Sequence, residues 1–154
     1  MQPISNDKVR FDYEILETFT AGLVLSGPEV KSIRTGKISI KGSYVKIFPA
    51  RRPGGGNNEA YLVGATIAPY QPGNVPKDYD DQRTRKLLLK KSELKYLVGK
   101  ADERGLTLVP LKIFDAHGLL KLNLGIARGK KKYDKRETIK KRNVKRDMAR
   151  ALQR

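Results

Sequence analysis

From Gly129 onward the chain cannot contribute to a hydrophobic core. Residues 128–154 carry 13 basic and three acidic side chains, a net charge of +10, and no glycine or proline follows Gly129. Long, unbranched side chains favour helix, but like charges one turn apart repel. Val144, Met148 and Leu152 fall at i, i+4 and i+8, which gives a single narrow apolar stripe. A stripe that thin does not offset the entropy of ordering in water. The segment is therefore expected to be disordered when free and helical once it lies against an anionic partner. The folded part must come from the residues before it, which divides the chain into a domain at 1–128 and a basic tail at 129–154.

The whole chain of 154 residues has a net charge of +17, of which residues 1–127 hold +7 from 20 basic and 13 acidic side chains. A field of this size points to a polyanion partner, nucleic acid before an anionic membrane surface. No apolar run approaches the roughly 20 residues of a membrane span, and Met1 to Tyr13 lacks the apolar centre of a signal peptide. The chain has no cysteine and one histidine. That excludes disulfides, thiolate zinc sites and cysteine nucleophiles, and makes a histidine-based metal site improbable. No metal or cofactor is expected, and the expected location is the cytoplasm.

The body reads as strands. Phe11, Tyr13 and Ile15 alternate with Asp12, Glu14 and Glu17 over residues 11–17, as in a half-buried strand. Leu23-Val24-Leu25 follows as a short buried run. Gly27-Pro28-Glu29 starts a helix with proline in its first turn, Val30 and Ile33 on its inner face and Gly36 at its end. Tyr44 to Phe48 and Tyr61 to Ile67 are two further strands around a flexible glycine-rich loop at 49–59. A proline-rich, acidic loop over 69–82 leads to a short strand over Lys86 to Lys90. Leu94, Leu97, Val98 and Ala101 then mark an amphipathic helix that Gly105 stops. Leu106 to Phe114 and Leu119 to Ala127 form a hairpin about Asp115-Ala116-His117-Gly118. Leu120, Leu122, Leu124 and Ile126 share its inner face; Lys121 and Asn123 point the other way. Pro110 marks an edge or a bulge in the first of these strands. Six or seven short strands with two or three inserted helices favour a mainly β fold, a small antiparallel OB-like barrel, over a doubly wound sheet.

No constellation for catalysis stands out. Gly54-Gly55-Gly56 lacks the Gly-Lys-Ser/Thr that completes a phosphate-binding loop. His117 sits in a turn with no carboxylate or serine at readable spacing. Asp78, Asp80 and Asp81 lack the glycine and terminal glutamate of a calcium loop. The chain reads as a binding protein and not an enzyme. Its candidate contacts to an RNA backbone are Lys8 and Arg10 near the N-terminus, Lys31 and Arg34 on the outer face of the first helix, and Arg83, Arg85 and Lys86 beside the apolar triplet Leu87-Leu88-Leu89. Guanidinium forks match phosphate oxygens in pairs. In the tail, Lys130, Lys131, Lys132, Lys135 and Arg136 surround Tyr133, so a ring that can stack on a base lies among five cations. Lys140 and Lys141 extend that run.

In order along the chain stand Asp12-Tyr13, Ala21-Gly22-Leu23-Val24-Leu25, Glu29-Val30-Lys31-Ser32-Ile33-Arg34, Gly36-Lys37 and Ser43-Tyr44-Val45. Arg83-Thr84-Arg85-Lys86-Leu87-Leu88-Leu89, Gly105-Leu106-Thr107-Leu108-Val109-Pro110, Ala127-Arg128-Gly129-Lys130-Lys131 and Tyr133-Asp134-Lys135-Arg136 complete the series. Each piece is weak alone, but as an ordered set over nearly the whole chain they resemble the SmpB family, the SsrA-binding proteins of bacterial trans-translation. The resemblance implies an OB-type barrel that binds the tRNA-like domain of transfer-messenger RNA and delivers it to stalled ribosomes. The tail would enter the vacant mRNA channel and fold there as a helix. It further implies RNA contacts at Asn6, Leu88 and Lys121, tail function at Asp134, Lys135 and Arg136, and helix packing at Ala151 and Leu152. The expected partners are transfer-messenger RNA and the decoding region and mRNA channel of the small ribosomal subunit. The chain is expected to act as a monomer, without a membrane. Thr20 departs from the family, which often has glutamate there, and the 49–59 loop is longer than usual. The competing reading, a structural ribosomal protein whose basic extension is buried in rRNA, is set aside by the ordered motifs and not by composition.

Overall fold

The structure is a computed structural model and describes residues 1–50 and 56–152, without the side chains of residues 132–134. In chain order the elements are β1 (Ile4–Ser5), α1 (Asp7–Asp12), β2 (Tyr13–Leu23), α2 (Gly27–Arg34), β3 (Ile38–Ser39), β4 (Tyr44–Phe48), β5 (Glu59–Val63) and β6 (Thr66–Ile67). They continue with β7 (Arg85–Leu88), α3 (Lys91–Asp102), β8 (Leu106–Ala116), β9 (Leu119–Gly129) and α4 (Lys132–Leu152).

Seven strands form one antiparallel sheet in the order β1-β8-β9-β2-β7-β5-β4, and β3 pairs with β6 in a small ribbon. The edge strand β4 comes round to contact β8, so the sheet curls toward a barrel, while the ladder itself runs open from β1 to β4. This is the mainly β, OB-like architecture the strand pattern implies. Leu120, Leu122, Leu124 and Ile126 are buried along β9, joined in the core by Leu62, Leu87, Leu108 and Ile113 from neighbouring strands. Ile33 of α2 and Leu97 of α3 close the core with no exposed surface.

Helix α2 has the start its sequence promises. The Ser26 hydroxyl accepts from the Glu29 amide, and the Glu29 carboxylate accepts from the Ser26 amide, so two amide groups at the helix start are satisfied reciprocally. Gly36 ends it at φ +80°. The β8–β9 ladder shifts register between Pro110 and Lys112, as expected where a proline removes a donor. Its turn places His117 at φ 52° and Gly118 at φ 84°, the double left-handed conformation of a tight hairpin that follows strand twist.

Three expectations need correction. The strand expected over 11–17 starts at Tyr13 and runs to Leu23, behind the helix α1. Six residues are too few to show a helical period. Val24 is exposed and not part of a buried run. Strand 61–67 is split at Gly64 (φ +85°) into β5 and β6.

The tail departs furthest. Expected to be disordered when free, it is a 21-residue helix in the isolated chain. Two physical causes are visible. The segment has no glycine or proline and is rich in side chains that lose little entropy in a helix. Its start is also tied to α1: the Lys130 amide donates to the Asp12 carbonyl at 2.9 Å, Lys135 Nζ lies 3.4 Å from the Asp12 carboxylate, and the Arg142 guanidinium stands over the Phe11 ring.

Candidate nucleic-acid interface

The outward positions of β9 follow the parity read from sequence: Leu119, Lys121 and Asn123 alternate with the buried leucines. Lys121 pairs across the sheet with Gly22, and Gly22 pairs on its other side with Leu88. A glycine between them keeps this part of the surface low. A Cβ at Gly22 would stand 3.4 Å from the Leu88 Cβ. The result is an open groove of about 320 Å³ lined by Gly22, Leu23, Leu25, Val30, Arg34, Leu88, Leu119 and Lys121, among others. Leu88 is 54% exposed and Leu119 64%, large apolar surfaces that nothing among the described residues covers. They share the groove with the cations Arg34 and Lys121, a combination suited to the face of a base and its phosphate.

Arg34 reaches the groove from α2 and forms an ion pair with Asp115, while its other nitrogen donates to the Gly118 carbonyl at 2.9 Å. The Asp115 carboxylate also accepts from the Gly118 amide. The Arg34 guanidinium and this amide hold its pKa below the ordinary value. Arg34 thus anchors the hairpin tip and keeps a partly exposed face toward the groove. Thr20 donates to the Asn123 side chain at 2.9 Å, two residues along β9 from Lys121.

Not every expected contact is on this surface. Arg85 has no exposed surface: its Nε lies 2.7 Å from the Glu29 carboxylate, and its other nitrogens donate to the Ala65 and Asp81 carbonyls. It cannot bind a phosphate from there. Its sequence surroundings, basic residues beside an apolar triplet, suggested a surface cluster, but strand parity turns Arg85 and Leu87 inward and Lys86 and Leu88 outward. Arg83 shares the Glu29 carboxylate and is partly exposed. Burial pushes the Glu29 pKa up, but the Ser26 amide and the two guanidinium groups outweigh it and bring it down to about 2.

Asn6 is also fully buried. Its amide nitrogen donates to the Ile40 and Pro110 carbonyls at 3.2 Å each, while its side-chain oxygen has no partner among the described residues. It joins β8 to the segment before β4 and is a framework residue, not a surface contact. Lys8 and Arg10 are exposed on α1, Lys31 is exposed on α2, and Lys86 is half-buried beside Glu59. These four do not line the groove.

Along α4, Arg136, Lys140, Lys141, Ala151 and Leu152 are exposed, Lys131 is exposed just before it, and Lys130 and Lys135 are partly covered. The side chains of Tyr133 and Asp134 lie outside the described residues. Leu119 is the groove residue that sequence reasoning missed. An apolar side chain at an outward position of β9 was the available signal.

Among the described residues no group of three histidine, cysteine, aspartate or glutamate side chains is placed to hold a metal, and no helix is long and apolar enough to cross a membrane.

A curled antiparallel sheet with an apolar–cationic groove and a cationic helical extension defines a small basic β protein of the RNA-binding class. A sequence profile of the family described as "SmpB protein" matches residues 3–154. The SsrA-binding protein of Acaryochloris marina is 48% identical over 97% of this chain and 92% of its own length. That of Enterococcus faecalis is 45% identical over 96% of this chain and 90% of its own. A chain of a solved structure described as "tmRNA-SmpB: a journey to the center of the bacterial ribosome" is 45% identical, with a TM-score of 0.65 over 90% of this chain and 95% of that one. The chain belongs to the SmpB family.

Proposed function

We propose that this protein binds the tRNA-like domain of transfer-messenger RNA and delivers that RNA to stalled ribosomes, where the tail occupies the empty mRNA channel. The observation that carries the reading is the groove of Leu88, Leu119, Lys121 and Arg34 in a chain that resembles SsrA-binding proteins across both barrel and tail. Structured RNA is held by shape and phosphate contacts with a few specific groups, and a groove with two exposed leucines alongside cations supplies both. Residues 1–128 and 129–154 then have separate tasks, the first toward the RNA and the second toward the ribosome. The mRNA channel is lined by phosphate-rich rRNA, so a segment of net +10 is drawn in with release of counterions. Resident mRNA would exclude it sterically. The protein acts in the cytoplasm, as a binding protein without a cofactor.

The test is binding of the full-length protein to transfer-messenger RNA with total RNA as competitor. Specific binding that Leu88→Ala with Lys121→Ala weakens about tenfold or more, while the same pair leaves binding to total RNA unchanged, is the expected outcome. Equal competition by total RNA would reduce the protein to a nonspecific polycation.

A further inference from the structure

A second surface has the composition of a nucleic-acid contact and lies outside the groove. On the strand β4, the outward residues are Tyr44, Lys46 and Phe48; they stand opposite Val63, Tyr61 and Glu59 of β5. Outward positions of a barrel strand are ordinarily polar, because that face meets water. Here Tyr44 is 46% exposed and Phe48 42%. The Phe48 and Tyr61 rings meet edge to face with centroids 5.3 Å apart, and Lys46 Nζ stands 5.0 Å from the centre of the Phe48 ring. Lys86 on β7 stands opposite Tyr61 on the other side.

The acid in this strip is already engaged. The Glu59 carboxylate accepts from the Tyr61 hydroxyl at 2.6 Å and lies 3.5 Å from Lys86 Nζ. Three rings and two lysines therefore share one face of a three-stranded ribbon. Backbone ladders on both sides of β5 fix their spacing. Leu88 follows Lys86 at the next outward position of β7, so this face runs on toward the groove.

We propose that the outer face of β4 and β5 is a stacking platform for unpaired RNA bases, with Tyr44, Phe48 and Tyr61 taking the bases and Lys46 and Lys86 the phosphates. Aromatic rings interleaved with lysines on a rigid sheet face bind single-stranded RNA with little sequence preference, because every base has a π face and every link a charge. The platform does not depend on recognition of a tRNA-like domain by the groove. It adds a place where a single-stranded stretch of the same or another RNA can be held.

The experiment compares full-length protein binding an oligouridylate of about 12 nucleotides, a length within the usual site range, with an abasic ribose-phosphate of equal length. Both probes carry the same charge, so the tail's cations contribute equally to each, and any stacking on Tyr133 of the tail is common to the wild type and the β4 variants. The wild-type protein should bind the base-bearing probe at least about fivefold more tightly. The variant Tyr44→Ala with Phe48→Ala should lose most of that ratio, and Tyr44→Phe with Phe48→Tyr should keep it. In parallel, photocrosslinking of the wild type with 5-iodouridine in the probe should map to β4 and β5, which tests the site even if the alanine variant fails to fold. A ratio near one in the wild type, a ratio unchanged in the alanine variant, or crosslinks confined to other segments would overturn the proposal. Loss of transfer-messenger RNA binding by the groove variant would leave these readouts unaffected.

Discussion

Glu29 is the buried acid that ties α2 to the strand β7. Its carboxylate, 2% exposed, joins the start of α2 to Arg85 in the core and Arg83 near the surface. A buried pair of this kind adds little stability over apolar packing, but removal of one partner leaves an uncompensated charge. Glu29→Gln should therefore cost about 3 kcal/mol at neutral pH. The pH dependence has a definite sign. The folded-state pKa is about 2 against an ordinary 4.5. The stabilisation is thus complete above about pH 4.5 and is lost as pH falls toward 2. Urea unfolding of both proteins at pH 7 and near pH 2.5 should show the gap between them narrow on acidification, whereas a constant gap would mean that Glu29 is not ionised in the native state. Gly125 is tightly enclosed: a Cβ there would lie 3.0 Å from Ile15 Cγ2, 3.2 Å from Leu111 Cδ1 and 3.3 Å from the Glu17 carbonyl, beside the β2 irregularity at Ile15 to Glu17, so a larger residue requires those neighbours to shift by a few tenths of an ångström.

At the scale of elements, the chain's helical tail is joined to the barrel through α1. The Asp12–Lys135 pair is 28–37% exposed at its side chains, and such pairs contribute at most about 1 kcal/mol. The Arg142–Phe11 contact at 5.6 Å is of similar rank. Together they set where the tail leaves the body without contributing much to global stability. Phe11→Ala with Asp12→Ala is therefore expected to leave the melting temperature of the barrel nearly unchanged while amide exchange across residues 132–152 accelerates. Unchanged exchange would place the tail's order in its own helix propensity alone.

The same elements show what the sequence could and could not reveal. The β8–β9 hairpin, α2 and α3 were legible because period-two or period-3.6 patterns were bounded by a turn, a first-turn proline or a glycine. The α1 helix and its attachment to the tail were not, because six residues carry no period and contacts between distant segments leave no local trace. The groove was half legible: strand parity turned Lys121 outward, while Leu88 came from the resemblance and its outward position shows only in the alternation of β7. Arg85 was misplaced because the basic cluster was read by composition and not by the inward and outward alternation that its own strand imposes. Asn6 came from the resemblance alone, and its burial is set by hydrogen bonds to Ile40 and Pro110, residues far away in the chain.

For the molecule as a whole, the uneven charge fixes how affinity must respond to salt. The body carries +7 over residues 1–127 and the tail +10 over the remaining 27, on a helix whose cations are mostly exposed. If the body holds folded RNA mainly by shape, its complex with an RNA should weaken only moderately with salt. The tail's contribution should weaken steeply, because each phosphate it neutralises releases a counterion and adds about 0.7 to 0.9 to the slope of log affinity against log salt. Neutralising Lys140, Lys141, Lys145 and Arg146, all exposed on the tail helix, to glutamine in the full chain removes four such charges and leaves the Arg142–Phe11 contact in place. Binding to ribosomal particles with an empty mRNA channel should then lose up to about 3.6 from its salt slope, and binding to isolated transfer-messenger RNA should lose little. Filtration or light-scattering titrations between low and near-physiological salt would read both. Equal losses on the two partners would mean that the tail is a general RNA clamp, and the separation of a recognition body from a ribosome-seeking tail would fall with it. Loss on the ribosome alone requires that separation, since the two partners share phosphate chemistry and differ in whether they offer an open channel for a cationic helix.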